Sequence, residues 1–310
     1  MTAIEIPVGR IGEGETPSRR SAGCRRYMSE SSMRDKWIRM LLAFFLLLSA
    51  SLARSAQLNS PNVGAGEKGG ILLEQLSWDE AERVLTPHQV VVIPLGAESK
   101  EHGRHLPLNN DWVMAEYFKR RVLASACVVV APTINYSFYP AFLEYPGSTS
   151  LGLDTARAMV VDIVRSLAHF GPRRFYIINT GISTLRPLAQ AADELGKEGI
   201  LLRYLDFTKE DPVEKKVRQS GGTHADEIET SMMLYIAPEI VRMEKGSRDL
   251  NPDQPGPLTR DPKGKGLYSP TGVWGDPTLA TREKGSQLVE SNVATILKDI
   301  EDLRRAGLPK

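Results

Sequence analysis

The sequence predicts an α/β protein, a three-layer αβα sandwich in which helices cover both faces of a mostly parallel central sheet. Short apolar runs, such as "QVVVIPLGA" at 89–97, alternate with amphipathic segments of ten to seventeen residues, which is typical of βαβ units. The chain has 310 residues, 41% of them hydrophobic, and no visible internal repeat, so it can form one large domain. In such sheets, ligands bind outside the carboxyl ends of the strands.

The expected elements follow one another in a regular order. The first helix lies in "SWDEAERVL", where Ser77 and Glu80 have the spacing of a capping box. The strand at 89–97 follows it. Later apolar runs give strands, and segments with helical periodicity give helices. These are a helix at 111–125, a strand from 127, a helix at 155–171, a strand at 173–181, a helix at 186–199, a strand at 200–207 and helices at 225–241 and about 281–306.

One long segment near the C-terminus has no clear periodicity. Residues 245–282 are rich in glycine, proline and charged residues. This composition predicts an excursion over the surface, acting as a lid or as a subunit contact.

The charge of the chain argues against one class of function. Lys and Arg number 39 and Asp and Glu number 38, which gives a formal net charge of +1. Nucleic-acid-binding domains usually carry a basic face or stripe, and the basic clusters at 19–26 and 34–39 lie outside the expected folded body. We therefore expect no nucleic-acid partner.

The first 56 residues have the layout of a signal peptide region. Basic residues at 34–39 precede an apolar run at 40–53, and small residues follow up to Ser55. The alternative is a membrane anchor, but this run is shorter than the ~20 residues that a helix needs to cross a bilayer. The polar part is long for a signal, so translation could start later, at Met28, Met33 or Met40. We expect an exported, periplasmic or secreted protein that meets the membrane only through this segment, with a linker at 57–72.

The stretch "KEHGRHLPLNND" at 100–111 carries the chemistry. It holds Glu101, His102, His105 and Asp111 directly after a predicted strand, at the edge where ligands bind. Carboxylates and imidazoles together suit a divalent metal ion. Solvated loop residues are the alternative, and spacing alone leaves both readings open.

Four segments resemble the creatininase family of metal-dependent amidohydrolases. "PLGAESKEHGRHLPLNND" at 94–111 is similar to the family signature P-x-G-x-x-E-Q-H-G-x-H-L-P-x-x-x-D, and "THADEIETSMML" at 223–234 is similar to its H-A-G-x-x-E-T-S segment. "GVWGDPTLATREKG" at 272–285 and "YPGSTSL" at 145–151 resemble two further family segments. The resemblance covers roughly residues 75–300 and implies a creatininase-like hydrolase domain at 73–310.

The resemblance implies roles for individual residues. His102 matches the first histidine ligand of the family and Asp111 its bridging aspartate. His105 matches a histidine that lies behind the ligands or contacts substrate. His224 matches the catalytic histidine, and Glu229 matches its neighbouring helix carboxylate.

The chain departs from the family at its glutamate ligand. The family glutamate lies two residues before the first histidine, where this chain has Lys100. Glu101 lies one residue before it, in a segment one residue longer, and is therefore the expected third ligand. Glu98 is the alternative.

The second departure follows the third predicted strand. The family has N-G-H-G-G-N or N-G-H-x-E-N there, and this chain has "NTGIST" at 179–184. Asn179 is kept, but Gly181 replaces a histidine ligand and Ser183 replaces a residue that can be a glutamate ligand. We therefore expect one tightly held divalent ion, Zn, Mn or Fe, rather than two.

Together these patterns imply a hydrolase that cleaves a C–N bond of a small-molecule amide or cyclic amide. His224 and Glu229 are the expected catalytic residues, and Glu101, His102 and Asp111 are the expected ligands. His105, Asn179, Ser183 and Tyr136 are expected around the substrate or behind the ligands, the tyrosine in an aromatic loop at 136–142. The resemblance also implies a homo-oligomer. The alternative from another class is a catalytically silent, secreted member that binds a metal or ligand.

The signal region yields the first testable expectation. N-terminal sequencing of the exported protein should begin between about residues 50 and 57, because signal peptidase cuts after small residues that follow an apolar run. A mature protein that keeps residues 40–53 and sediments with membranes would show an anchor instead.

Overall fold

A computed structural model describes residues 69–251 and 256–310 of the chain. The expected signal region and most of the expected linker lie outside the described residues. Among the described helices, none is long and apolar enough to cross a bilayer.

Five parallel strands form the central sheet. They are β1 (Ile71–Leu72), β2 (Val90–Leu95), β3 (Val129–Val130), β4 (Arg174–Asn179) and β5 (Leu201–Tyr204), and their order in the sheet is β1-β3-β2-β4-β5. The mostly parallel sheet that the apolar runs predict is therefore confirmed. β1 was not expected, because two residues are too short for a recognisable pattern and they lie in the expected linker.

Seven α-helices are present in the described part of the chain. They are α1 (Trp78–Val84), α2 (Asn110–Ser125), α3 (Leu153–Ala168), α4 (Leu185–Gly196), α5 (Pro212–Val217), α6 (Glu227–Ile236) and α7 (Arg282–Arg305). The backbone N–H of Ser77 donates to the Glu80 carboxylate at 2.9 Å, as the capping box predicts. α6 is shorter than expected and ends before Pro238, because proline lacks the N–H that a helix needs. α5 was missed.

The helices lie on both faces of the sheet. Along β2, Val90 and Val92 point into one core with α2, α6 and α7. Val91, Ile93 and Leu95 point into the other core with α1, α3 and α4. This alternation follows from the period of two in a strand, and it builds the three layers.

The topology places a crevice between β2 and β4. These strands are neighbours in register, with Leu95 opposite Asn179. The chain leaves β2 toward α2 on one face and leaves β4 toward α4 on the other. Loops that diverge in this way open a ligand site at the carboxyl ends of the strands, and the stretches at 96–109 and 180–184 lie there.

The segment at 245–282 differs from the expected surface excursion. Its described parts include a small parallel pair, β6 (Leu258–Thr259) and β7 (Leu267–Tyr268), and several of its side chains are buried, among them Leu258 and Trp274. Trp274 pairs with His224 in an isolated antiparallel bridge. The segment therefore packs over the carboxyl edge of the sheet as part of the site.

The contact between α6 and α7 gives a test of the packing. A Cβ added at Gly285 of α7 would lie 1.8 Å from the carbonyl oxygen of Ser231 in α6. Gly285→Ala should therefore lower the free energy of unfolding by about 1–3 kcal/mol, since overpacking forces backbone shifts. Urea denaturation measures it.

The matched control is Gly196→Ala in α4, where a Cβ would meet nothing within 4 Å. It should leave stability unchanged or raise it slightly, because alanine is the better helix former. Equal effects of the two substitutions would contradict the close approach of α6 and α7.

Candidate active site

The turn after β2 brings two expected ligands together. A Cβ added at Gly96 would lie 2.3 Å from the carbonyl oxygen of Asp111, so only glycine allows the end of β2 to approach the start of α2 so closely. The N–H of Trp112 donates to the carbonyl of Ala97 at 3.1 Å. The loop between them therefore folds back, and Asp111 lies beside His102.

His102, Asp111 and Glu229 form a cluster of metal-ligating groups. His102 Nε2 lies 2.8 Å from Asp111 Oδ1 and 3.3 Å from Glu229 Oε1. One ligand atom from each of the three lies within 4.8 Å of the others. His102 and Asp111 are fully buried, and Glu229 is partly exposed. We call these three residues the ligand cluster.

The orientation of the His102 ring suits a cation. Its Nδ1 lies 2.9 Å from the carbonyl oxygen of Lys100, which can only accept a hydrogen bond, so Nδ1 carries the proton. Nε2 then faces the oxygens of Asp111 and Glu229. The two carboxylates that face Nε2 require a cation between them and the ring, either a proton or a metal ion, and a metal-bound histidine is usually held in this way. The cluster therefore fits a divalent ion such as Zn or Mn.

Glu229 is held in place from the start of α6. Its Oε1 accepts a hydrogen bond from Asn110 Nδ2 at 2.8 Å and its Oε2 one from the N–H of Ala225 at 2.7 Å. Ala225 has φ of 47°, a left-handed conformation that costs an alanine roughly 1–3 kcal/mol. Asp226 caps α6 by accepting from the N–H of Ile228 and of Glu229. The strained turn thus aims the carboxylate at His102.

The side chain of Glu101 does not join the ligand cluster, as expected for a ligand, but contacts His224 instead. Its Oε2 lies 3.1 Å from His224 Nε2, and its Oε1 accepts from the N–H of Gly103. A Cβ at Gly272, where φ is +81°, would lie 2.1 Å from that Oε1, so the covering segment closes directly over the carboxylate. Glu229, which the sequence places beside the catalytic histidine, occupies the third position of the ligand cluster.

Glu101 and His224 stabilise each other's charged form. Burial by itself would raise the pKa of Glu101, but the imidazole of His224 and the N–H of Gly103 hold that pKa below its usual range. Burial would lower the pKa of His224, but Glu101 raises it above the ordinary value. The ring of Phe142 lies against His224, with ring centroids 4.4 Å apart.

Lys100 is a charged residue to which the sequence gave no role. It is 4% exposed, and its Nζ lies 2.7 Å from Asp111 Oδ2. Burial would raise the pKa of Asp111, but the ammonium of Lys100 and the His102 ring hold that pKa well below its usual range. The sequence does carry a signal for Lys100, because it is a lysine inside a motif that otherwise carries expected ligands.

His105 is as buried as His102 and Asp111 but is not part of the ligand cluster. Its Nε2 lies 2.8 Å from Thr230 Oγ1, and its Nδ1 has no hydrogen-bond partner among the described residues. Burial lowers the pKa of His105 to about 4. It packs against the turn at Gly103, behind the ligand residues.

The loop after β4 shapes one part of the site. Asn179 donates to the carbonyls of Gly181 and Leu205, and its Oδ1 accepts from Thr184 Oγ1 at 2.5 Å. All its polar atoms are thus used to hold the loop. Ser183 lines the cavity described next.

A cavity of about 560 Å³ lies above these residues. Glu229, His224 and Lys100 border it. Its other walls come mainly from Tyr139, Phe142, Ile182, Ser183, Phe207, Arg218, Met232 and Trp274. The aromatic loop therefore reaches the pocket through Tyr139 and Phe142, whereas Tyr136 is 45% exposed and is not among the lining residues. Phe207 and Arg218 were not expected there, since they lie outside the family motifs, and Met232 lies in the second motif but was given no role.

Comparison with known proteins agrees with this geometry. A family model described as "Creatininase: Creatinine amidohydrolase" matches residues 74–300. The chain belongs to the creatininase family. A creatinine amidohydrolase of Pseudomonas putida is 28% identical over 253 residues, which cover 75% of this chain and 96% of that protein. A mycofactocin precursor peptide peptidase of Mycobacterium tuberculosis is 30% identical over 216 residues, 66% of this chain and 81% of the relative. The chain is therefore a divergent creatininase-family hydrolase.

Solved structures of the family share the fold and contain metal ions. A creatininase variant of the Zn–Zn type has a TM-score of 0.62 at 25% identity, covering 76% of this chain and 99% of that one. A manganese creatininase has a TM-score of 0.61 at the same identity and covers 76% of this chain and 100% of that one. A divalent ion is accordingly the cofactor of this creatininase-family chain, and the ligand cluster is its candidate site.

The ligand cluster yields a prediction for metal binding. His102→Ala, Asp111→Ala and Glu229→Ala should each lose most of the bound ion, because each removes one of three protein ligands. Elemental analysis of the purified full chain after dialysis measures the ion per chain. His88→Ala, which changes an exposed histidine outside the site, should retain the wild-type amount. Full metal in the three cluster variants would show that the ion is held elsewhere.

Proposed function

We propose that this creatininase-family chain hydrolyses a C–N bond of a small, non-peptide amide or cyclic amide. The observation that carries the proposal is the convergence of Glu229 and His224 on one cavity. Glu229 belongs to the ligand cluster, and His224 is paired with Glu101. A metal site beside a histidine that can move protons is the arrangement that amide hydrolysis needs.

Each group has a distinct part in the proposed reaction. His102, Asp111 and Glu229 would hold the divalent ion, which when bound polarises a carbonyl or lowers the pKa of a bound water. His224 accepts the proton of the attacking water and returns it to the leaving nitrogen. Glu101 accepts the hydrogen bond of His224 Nε2, which fixes the ring and stabilises its protonated form.

The covering segment favours a small substrate. Trp274 and Leu258 of this segment line the cavity together with Ile182 and Ser183 of the loop after β4. Its volume lies within the range of small-molecule sites, roughly 300–1,000 Å³. A long peptide would have to pass between these walls, so we propose a compact substrate with one amide.

The proposal also includes the location of the protein and its oligomeric state. The basic, apolar and small residues before residue 56 support export to the periplasm or medium. The family resemblance supports a homo-oligomer. Neither feature enters the chemistry proposed for the site.

The proposal is tested by assaying the metal-loaded full chain on lactams, formamides and short peptides. We expect turnover of at least one lactam or formamide and none of the peptides. Exclusive cleavage of peptides would contradict the small-amide substrate, and no turnover of any amide by the loaded protein would favour the silent, ligand-binding alternative.

Variants of the proton-transfer pair sharpen this test. His224→Ala should lower kcat by about 10²–10⁴-fold, the usual contribution of general acid–base catalysis, while the metal content stays at the wild-type value. Glu101→Gln should lower kcat less, because it keeps the packing under Gly272 but removes the charge beside His224. His169→Ala, in an exposed position just after α3, is the matched control. An unchanged kcat in His224→Ala would exclude this histidine from the reaction.

A further inference from the structure

The carboxylate of Asp111 lies between two different partners. Its Oδ1 lies 2.8 Å from His102 Nε2, inside the ligand cluster, and its Oδ2 lies 2.7 Å from Lys100 Nζ. The two oxygens of a bridging carboxylate in a two-metal centre would each bind one ion. Here one oxygen belongs to the ligand cluster and the other is already paired with an ammonium group.

The ammonium group of Lys100 has a built environment. Its Nζ lies 4.8 Å from the ring centroid of Phe142 and 5.5 Å from that of Tyr139. Aromatic faces attract a cation, and the attraction is stronger when the cation is desolvated. Both rings are buried. A carboxylate and two aromatic faces thus form a cage for a positive charge beside the ligand cluster.

The loop after β4 lacks one ligand that the family resemblance implies. Gly181 stands where the resemblance implies a histidine ligand. A Cβ there would lie 3.2 Å from Thr184 Oγ1 and 3.5 Å from Tyr139 Cε1. Tyr139, one of the two rings of the cage, therefore packs beside the position from which that imidazole would extend. The lysine and the glycine change the same side of the site.

The formal charges also balance with one ion. Glu101, Asp111 and Glu229 carry three negative charges and Lys100 carries one positive charge, so one divalent ion neutralises the group when the histidines are neutral. A second divalent ion would leave two uncompensated positive charges in a buried site, which is costly.

From these contacts we infer that the ammonium group of Lys100 permanently takes the place of a second metal ion, so that this creatininase-family site works with one divalent ion and one built-in cation. The inference rests on the ligand cluster of the proposed function. Lysine supplies a point charge with three donors, and it borders the cavity. The one-ion site thereby differs from the Zn–Zn type of its structural neighbour.

Metal counting tests the inference directly. Full-chain protein is purified with Mn²⁺ present, dialysed, and analysed for manganese per chain. We expect one ion in the wild type. Lys100→Glu should hold about two, because it removes the cation and offers a carboxylate beside Asp111 Oδ2. Lys100→Met should keep one ion and bind it more tightly than the wild type, since the neighbouring positive charge is gone.

Lys119→Met is the matched control. Lys119 is also a buried lysine in an ion pair, with Glu74 at 2.8 Å, but it has no contact with the ligand cluster. It should leave both the manganese count and the affinity unchanged. If Lys100→Met only disturbed the packing, it would weaken binding of the ion. The proposed role predicts stronger binding, so the two effects have opposite signs.

The outcomes separate this inference from the proposed function. Two tight ions in the wild type, or one ion in a folded Lys100→Glu variant, would overturn the inference alone. No tight ion in the wild type would overturn the ligand cluster as well. If the variants fail to fold, a manganese-soaked wild-type crystal decides: one anomalous peak at the cluster with Nζ still on Asp111 supports the inference, and a peak in the Nζ position overturns it.

Discussion

The carboxylate of Asp111 is the interaction on which the whole site depends. It is fully buried, and burying an ionised carboxylate is costly unless positive or donor groups surround it. His102 and Lys100 supply those groups on its two oxygens, and both come from the stretch that leaves β2. The helix that carries Asp111 is therefore tied to the strand end by charge as well as by packing.

Close approaches between backbone segments fix the positions of the residues around Asp111. Gly96 lets the end of β2 touch the start of α2, and Gly272 lets the covering segment rest on the carboxylate of Glu101. A side chain at either position would separate two elements that hold site residues. The strained turn at Ala225 has the same purpose on the third side, since it directs Glu229 toward His102. Three tight backbone arrangements, at Gly96, Gly272 and Ala225, therefore hold the site residues in place.

The charges of the site divide into two pairs with different tasks. Asp111 and Lys100 are shielded by the aromatic rings of Tyr139 and Phe142, which makes their pairing permanent. Glu101 and His224 form the second pair, and His224 borders the cavity, where a proton can be exchanged with a substrate. Two adjacent residues, Lys100 and Glu101, thus serve different pairs of one centre.

The sequence by itself determined the layers, the parallel sheet and the stretch that carries the site, because apolar periodicity and the family motifs are local patterns. It indicated that His102 and Asp111 lie close together, since Asp111 follows His102 by only nine residues, and through the second motif it placed His224 and Glu229 near them. Only the tertiary structure decided which carboxylate meets which histidine. The side chain of Glu101 turns to His224 and that of Glu229 turns to His102, a choice made by the N–H groups of Gly103 and Ala225. The structure also decided where Lys100 points and that residues 256–275 cover the site, because Lys100 meets Asp111, Phe142 and Tyr139 and the covering segment meets Glu101 only once the chain has folded.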